Sequence, residues 1–121
     1  GYTVYVVGET ITPALREGDL LVGVSGSGKS ISVIDAARKA KEKKGVVIAV
    51  TSKKESPLAG YADQVLIIPG TVKGDTGASR GSIQLLSSLF DQSLHIVLDA
   101  VCLIISYRDD TANESATGAH W

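Results

Sequence analysis

Short apolar runs alternate along this chain with stretches whose apolar residues recur at helical spacing. Residues 19–24 (DLLVGV), 46–50 (VVIAV) and 64–69 (QVLIIP) are near-continuous apolar runs of strand length, the character of a parallel sheet buried on both faces. Residues 2–7 (YTVYVV), β-branched and aromatic between Gly1 and Gly8, predict a further strand almost at the first residue. Over residues 30–44, Ile31, Val33, Ile34, Ala36, Ala37 and Ala40 gather on one side of a helix. Arg38, Lys39, Lys41, Lys43 and Lys44 crowd its last turns, and Gly45 stops it. Residues 57–62 predict a short helix, and residues 83–108 one long helix or two consecutive ones, with Leu89, Phe90, Leu94, Val97, Val101 and Ile104 among those available for burial. A connector at 8–18, a glycine-rich loop at 70–82 and a polar tail after 108 complete the chain. Strands alternating with helices predict an α/β domain with a parallel sheet, whose ligands bind beyond the carboxyl ends of the strands.

At that edge, residues 25–30 read SGSGKS, between the run 19–24 and the helix. Glycine lets backbone approach an anion, hydroxyls donate hydrogen bonds to it, and a helix N-terminus adds unpaired N–H groups and a positive dipole end. Ser25, Gly26, Ser27, Gly28, Lys29 and Ser30 therefore form a candidate phosphate cradle. Thr51 and Ser52, at the end of the next strand, can converge on it. Gly23, Gly28, Lys29 and Ser30 also satisfy G-x-x-x-x-G-K-[ST], the P-loop of nucleotide triphosphatases. The acidic residue such an enzyme would need, Asp99, sits in a 3.6-period run rather than at a strand end.

Charge narrows the partners. With 12 Lys+Arg against 13 Asp+Glu the net charge is −1, which gives no global attraction for nucleic acid or an anionic membrane, and the basic cluster at 38–44 complements a helix C-terminus. The lone Cys102 lies in an apolar run and reads as a small core residue. His95 and His120 lie far apart in sequence, so no metal-ligand spacing is present. The apolar run 94–106 is interrupted by His95 and Asp99 and is short of the roughly 18 residues of a membrane span, so the expectation is a soluble, cytoplasmic protein of one domain over residues 1–121.

The order of these motifs resembles the sugar isomerase domain shared by phosphosugar isomerases and phosphosugar-binding proteins: strand, SGSGKS, a helix ending KAKEKKG, then VIAVTS, then SPLAGYADQVLIIP. VGETITP at 7–13, QLLSSLFD at 84–91, Leu98-Asp99-Ala100 and the ending Ala119-His120-Trp121 are similar to the 6-phospho-3-hexuloisomerases within it. The resemblance implies a three-layer α/β/α, Rossmann-like sandwich in which Ser25, Ser27 and Ser30 hold a sugar phosphate. It also implies a homo-oligomer, dimer or tetramer, with neither metal nor organic cofactor. By position Asp91 matches the family's catalytic carboxylate and His120 its tail histidine. Aspartate stands where the family usually has glutamate, and Lys29 likewise replaces a glutamate. Relatives also carry an earlier strand and helix with another phosphate-binding turn, so the expectation is a domain incomplete at its N-terminus. Three functions stay open at this point: a hexulose phosphate isomerase, a phosphosugar-binding module without catalysis, and a P-loop nucleotide triphosphatase.

Overall fold

The computed structural model describes residues 2–70 and 88–109. His120, and residues 71–87 and 110–121, on which a loop, the first part of the long helix and a polar tail are expected, lie outside the described residues. The chain divides into two compact units, Ala14–Leu94, and Gly1–Pro13 with His95–Trp121.

In the first unit three strands, β1 (Leu20–Val24), β2 (Val46–Thr51) and β3 (Gln64–Ile67), form a parallel sheet in the order β1-β2-β3. Helix α1 (Ile31–Glu42) joins β1 to β2, and the short α2 (Pro57–Tyr61) joins β2 to β3. Neighbouring parallel strands joined by right-handed crossovers put both helices on one face of the sheet. Accordingly α1 packs on α2 as well as on β1 and β2. The register sets Leu21 beside Val47 and Gly23 beside Ala49 on that face, and Leu21, Ala37, Ala40, Val47, Ala49 and Leu58 make the core. Small residues bring the layers close: a Cβ on Gly23 would stand 3.2 Å from Val33 Cγ1 and 3.3 Å from Leu58 Cδ1.

On the opposite face the sheet is half-exposed among the described residues. Leu20 and Val22 are 55% and 48% exposed, because alternate side chains of a strand point away from the helices and no described element covers them.

Helix α1 ends earlier than its pattern predicts, and by a different device. Lys43 is the C-cap, and Lys44, not Gly45, takes the left-handed conformation at φ 61°. Gly45 N donates to Ala40 O at 2.8 Å and Lys44 N to Lys41 O at 3.0 Å, the two bonds of a Schellman ending. Glycine at 45 serves space, since a Cβ there would meet Leu15 Cδ2 at 2.9 Å and the carbonyls of Ala40 and Asp19 at 3.1 Å.

Asp63 fastens the other end of these elements. One carboxylate oxygen accepts from Val47 N at 2.8 Å and the other from Lys41 Nζ at 2.6 Å, so α1, β2 and the approach to β3 share one clip. The Lys41 ammonium first, then the Val47 N–H, holds this carboxyl below its ordinary pKa of 3.8. A carboxyl depressed in the folded state stabilises the fold fully above its unfolded pKa, and that contribution is lost as pH falls through the lowered value. Asp63→Asn is therefore expected to be less stable than the parent at neutral pH. The gap should begin to close as pH drops below the ordinary 3.8 and vanish beneath the depressed value, as read by urea melts across pH.

Helix α3 (Ser88–Arg108) begins within the first unit and continues into the second. By length and composition it is long and apolar enough to cross a membrane, a measure that core helices of soluble proteins also meet. The run 94–106, judged alone, is shorter than the helix that contains it. Phe90 is its buried residue, whereas Ile96, Leu103 and Ile104 are exposed. Cys102 is exposed too, which corrects its reading as a core residue: it lies on a turn of α3 that no described element covers.

In the second unit residues 2–7 form no strand, against expectation. Val4, Val6 and Val7 are exposed, and among the described residues no strand pairs with them, without which strand-prone sequence has no ladder to join. Turns take their place, with Glu9 N donating to Val6 O and Thr12 N to Glu9 O, both at 3.1 Å. Tyr2 donates its hydroxyl to the Asp109 carboxylate, which pushes the phenol pKa up.

Candidate functional site

The loop 25–30 leaves the carboxyl end of β1 and enters α1, and its shape follows from its own hydroxyls. Ser25, buried, is pinned at its backbone by donation from its N–H to Val50 O at 2.9 Å, which continues the sheet one residue past β1. Its Oγ lies 2.9 Å from Ser30 Oγ and also accepts from Gly28 N at 3.1 Å. Ser27 Oγ accepts from Lys29 N at 3.1 Å. The two ends of the loop are thus tied together by a serine pair, with Gly28 turned inward between them.

Gly28 has φ 68°, the left-handed region that a side chain rarely adopts. A Cβ there would fall 2.2 Å from Ser56 Oγ and 2.4 Å from Ser56 Cβ. Ser56 is the N-cap of α2, its Oγ accepting from Ala59 N at 3.3 Å, and Leu58 N donates to Gly28 O at 3.0 Å. The loop therefore rests on the start of α2 at Gly28, where a side chain would not fit.

Gly26 is held from the other side. Its carbonyl oxygen accepts from Ser52 Oγ at 2.6 Å, from Ser52 N at 3.0 Å and from Thr51 Oγ1 at 3.1 Å. Thr51 and Ser52 do converge on the loop, as the sheet edge predicts, and within the protein their hydroxyls brace Gly26.

The side left open is rich in donors. Ser30 caps α1 with no side-chain bond, because its hydroxyl is turned to Ser25, and the first intrahelical bond runs from Ile34 N to Ser30 O at 3.0 Å. The N–H groups of residues 31–33 consequently have no helical acceptor. Among the described residues the N–H groups of Gly26, Ser27 and Ser30 meet no acceptor either. Lys29 is exposed beside them. Unpaired N–H groups, hydroxyls, a helix dipole and a cation at one strand end suit a phosphate dianion.

Gly23 is not laid out as the start of a P-loop. It pairs with Ala49 inside the β1–β2 ladder and packs under Val33 and Leu58, so the backbone wrap between strand and helix comprises residues 25–30 only.

Asp91 stands in the first turn of α3, exposed, next to Phe90. The Phe90 ring lies against the loop: a Cβ on Gly26 would be 3.4 Å from its Cγ and Cδ1. The turn of α3 that carries Asp91 is thereby fixed on the loop 25–30. His120 lies outside the described residues. Two participants escape the sequence: the Phe90–Gly26 contact, since Phe90 reads from periodicity only as one of many apolar helix positions, and Ser56 under Gly28, whose pairing is a property of the folded loop.

A family model described as the SIS domain matches residues 2–96. The chain belongs to the SIS domain family. Its SIS domain is an α/β sandwich around a parallel sheet. It is similar to the 3-hexulose-6-phosphate isomerase of Bacillus subtilis, at 38% identity over 120 residues, 99% of this chain and 65% of that protein. It is also similar to the 3-hexulose-6-phosphate isomerase of Mycobacterium gastri, at 48% over 101 residues, 84% of this chain and 50% of that one. Among solved structures, a Methanococcus jannaschii protein whose structure infers a molecular function of 3-hexulose-6-phosphate isomerase aligns with a TM-score of 0.78 and 28% identity, covering 100% of this chain and 63% of that one. The chain thus spans 50% to 65% of the length of these two curated relatives.

Proposed function

We propose that this SIS domain interconverts a 3-hexulose 6-phosphate and fructose 6-phosphate, acting as a cytoplasmic homo-oligomer. The observation that carries the reading is the bonded loop 25–30, a set of unpaired donors at the end of β1, with the Phe90–Asp91 helix start packed against it. Relatives named 3-hexulose-6-phosphate isomerase support the choice of sugar.

In this reading the loop binds the 6-phosphate through Ser25, Ser27 and Ser30 hydroxyls and the N–H groups near Gly26 and at the start of α1. Thr51 and Ser52 keep the loop in shape and stand ready as further donors. The reaction moves one proton from C2 to C3 through an enediol, turning the C3 ketone into a hydroxyl and the C2 hydroxyl into a ketone. A single carboxylate above both carbons can take the proton and return it, and Asp91 is assigned that role. His120 is assigned proton transfer between the neighbouring oxygens.

The decisive assay follows conversion of the 3-hexulose 6-phosphate to fructose 6-phosphate by the purified chain. Absence of turnover in a folded sample that binds fructose 6-phosphate would leave a binding module instead. Lys29 is assigned a supporting charge beside the phosphate. Lys29→Ala is expected to weaken fructose 6-phosphate binding about two- to fivefold, the scale of an exposed ion pair, and the deficit should shrink in high salt. Ligand-dependent shifts of the melting temperature measure it.

A further inference from the structure

We propose that Phe90 is a positioning residue: clamped between Gly26 and Gly70, it sets how the start of helix α3, and with it the Asp91 carboxylate, sits on the phosphate-binding loop. The inference rests on the isomerase reading above.

Its burial and two contacts carry it. Phe90 is 5% exposed, on a helix whose other described side chains are not buried. On one side its ring meets Gly26, at the 3.4 Å a Cβ there would have to Cγ and Cδ1. On the other, a Cβ on Gly70 would stand 2.7 Å from Phe90 Cβ, 3.1 Å from Cδ2 and 3.3 Å from Cγ. Gly70 is not among the residues with positive φ, so glycine is needed there for space rather than for backbone conformation. The closest approach is to Cβ, the part of Phe90 rigidly attached to the helix backbone, so a side chain at position 70 must displace the helix start itself.

Gly26 cannot yield in turn, because Thr51 and Ser52 hold its carbonyl from the end of β2. Position is therefore passed from the sheet to Gly26, from Gly26 to the Phe90 ring, and from Phe90 to the next residue, Asp91. An aromatic ring suits the task better than a flexible aliphatic chain, being flat, broad and limited to two torsions.

The test separates placement from binding and from folding. A misplacement of about 1 Å between a catalytic group and its substrate can cost on the order of a hundredfold. Gly70→Ala, which forces a smaller movement, is expected to lower kcat about tenfold, while the dissociation constant of fructose 6-phosphate stays within about threefold, the loop being untouched. Phe90→Leu keeps an apolar side chain but loses the ring. It should show the same split, less severely than Phe90→Ala, and it serves if Gly70→Ala does not fold. Melting temperatures accompany each measurement.

Unchanged kcat in both Gly70→Ala and Phe90→Leu overturns the clamp, as does a parallel fall of kcat, affinity and melting temperature, which would mark a merely structural residue. If the parent chain turns over and Asp91→Asn does not, those results remove the clamp alone. If the parent folds, binds fructose 6-phosphate and does not isomerise it, the isomerase reading falls and the clamp with it.

Discussion

Asp91→Asn is expected to abolish most turnover, lowering kcat for hexulose phosphate isomerisation by about 10²- to 10⁴-fold, the usual contribution of a positioned general base. Asparagine matches aspartate in size but cannot accept the C2 proton. The side chain is exposed in the first turn of α3, so the substitution removes no packed contact. Its structural cost is limited to the loss of a negative charge near a helix start, about 0.3–1 kcal/mol. Fructose 6-phosphate affinity, set by the loop 25–30, should stay within a few-fold. A variant with parental kcat would place the base elsewhere. Asp91→Glu adds a discriminating arm: if the helix start stands as close as the shorter side chain needs, the added methylene overshoots and kcat falls, whereas a gain would show that aspartate sits too far back.

How much of this was visible in the sequence depends on whether the responsible forces are local. The strands 19–24, 46–50 and 64–69 and the helix between the first two were legible because a parallel βαβ unit writes continuous apolar runs and a 3.6-residue stripe into the chain. The loop was legible as well: SGSGKS has few uses at the end of an apolar strand.

Where sequence reasoning failed, the missing information was a partner. Residues 2–7 carry every local mark of a strand, yet a strand is a relation between two segments, and no described strand lies beside them. Cys102, Leu20 and Val22 were read as buried from their own character, although burial belongs to whatever covers them. Gly45 was read as the stop of α1, but Lys44 takes the left-handed conformation while Gly45 clears space for Leu15 and two carbonyls. Glycine looks the same in sequence whether it serves a dihedral angle or a close approach. Gly70 and Gly26 belong to the second kind, which is why the Phe90 contact could not be read in advance.

Gly28 belongs to both kinds at once, and its substitution is expected to have the largest effect on the fold near the site. In Gly28→Ala the backbone must hold a φ of 68° with a side chain present, at a cost of about 1–2 kcal/mol. The new Cβ must also share space with Ser56, at 2.2 Å from its Oγ and 2.4 Å from its Cβ, separations that no real Cβ tolerates. Neither partner can step aside cheaply. Gly28 N is bonded to Ser25, Gly28 O accepts from Leu58 N, and Ser56 caps α2. Strain and overpacking together should destabilise by about 3 kcal/mol, and a few kcal/mol lowers the melting temperature by more than about 10 °C in a domain of this size. Phosphate-ester affinity should fall with it, because Ser25 and Ser30 lose the geometry that leaves the donors of α1 open. The double variant Gly28→Ala, Ser56→Gly separates the two causes. Removing the Ser56 side chain relieves the collision and costs only a few tenths of a kcal/mol as a cap, but leaves the dihedral strain. Recovery of roughly half the lost stability would therefore assign the remainder to φ, full recovery would mean that the backbone strain is absent, and no recovery would show that the loop does not rest on Ser56.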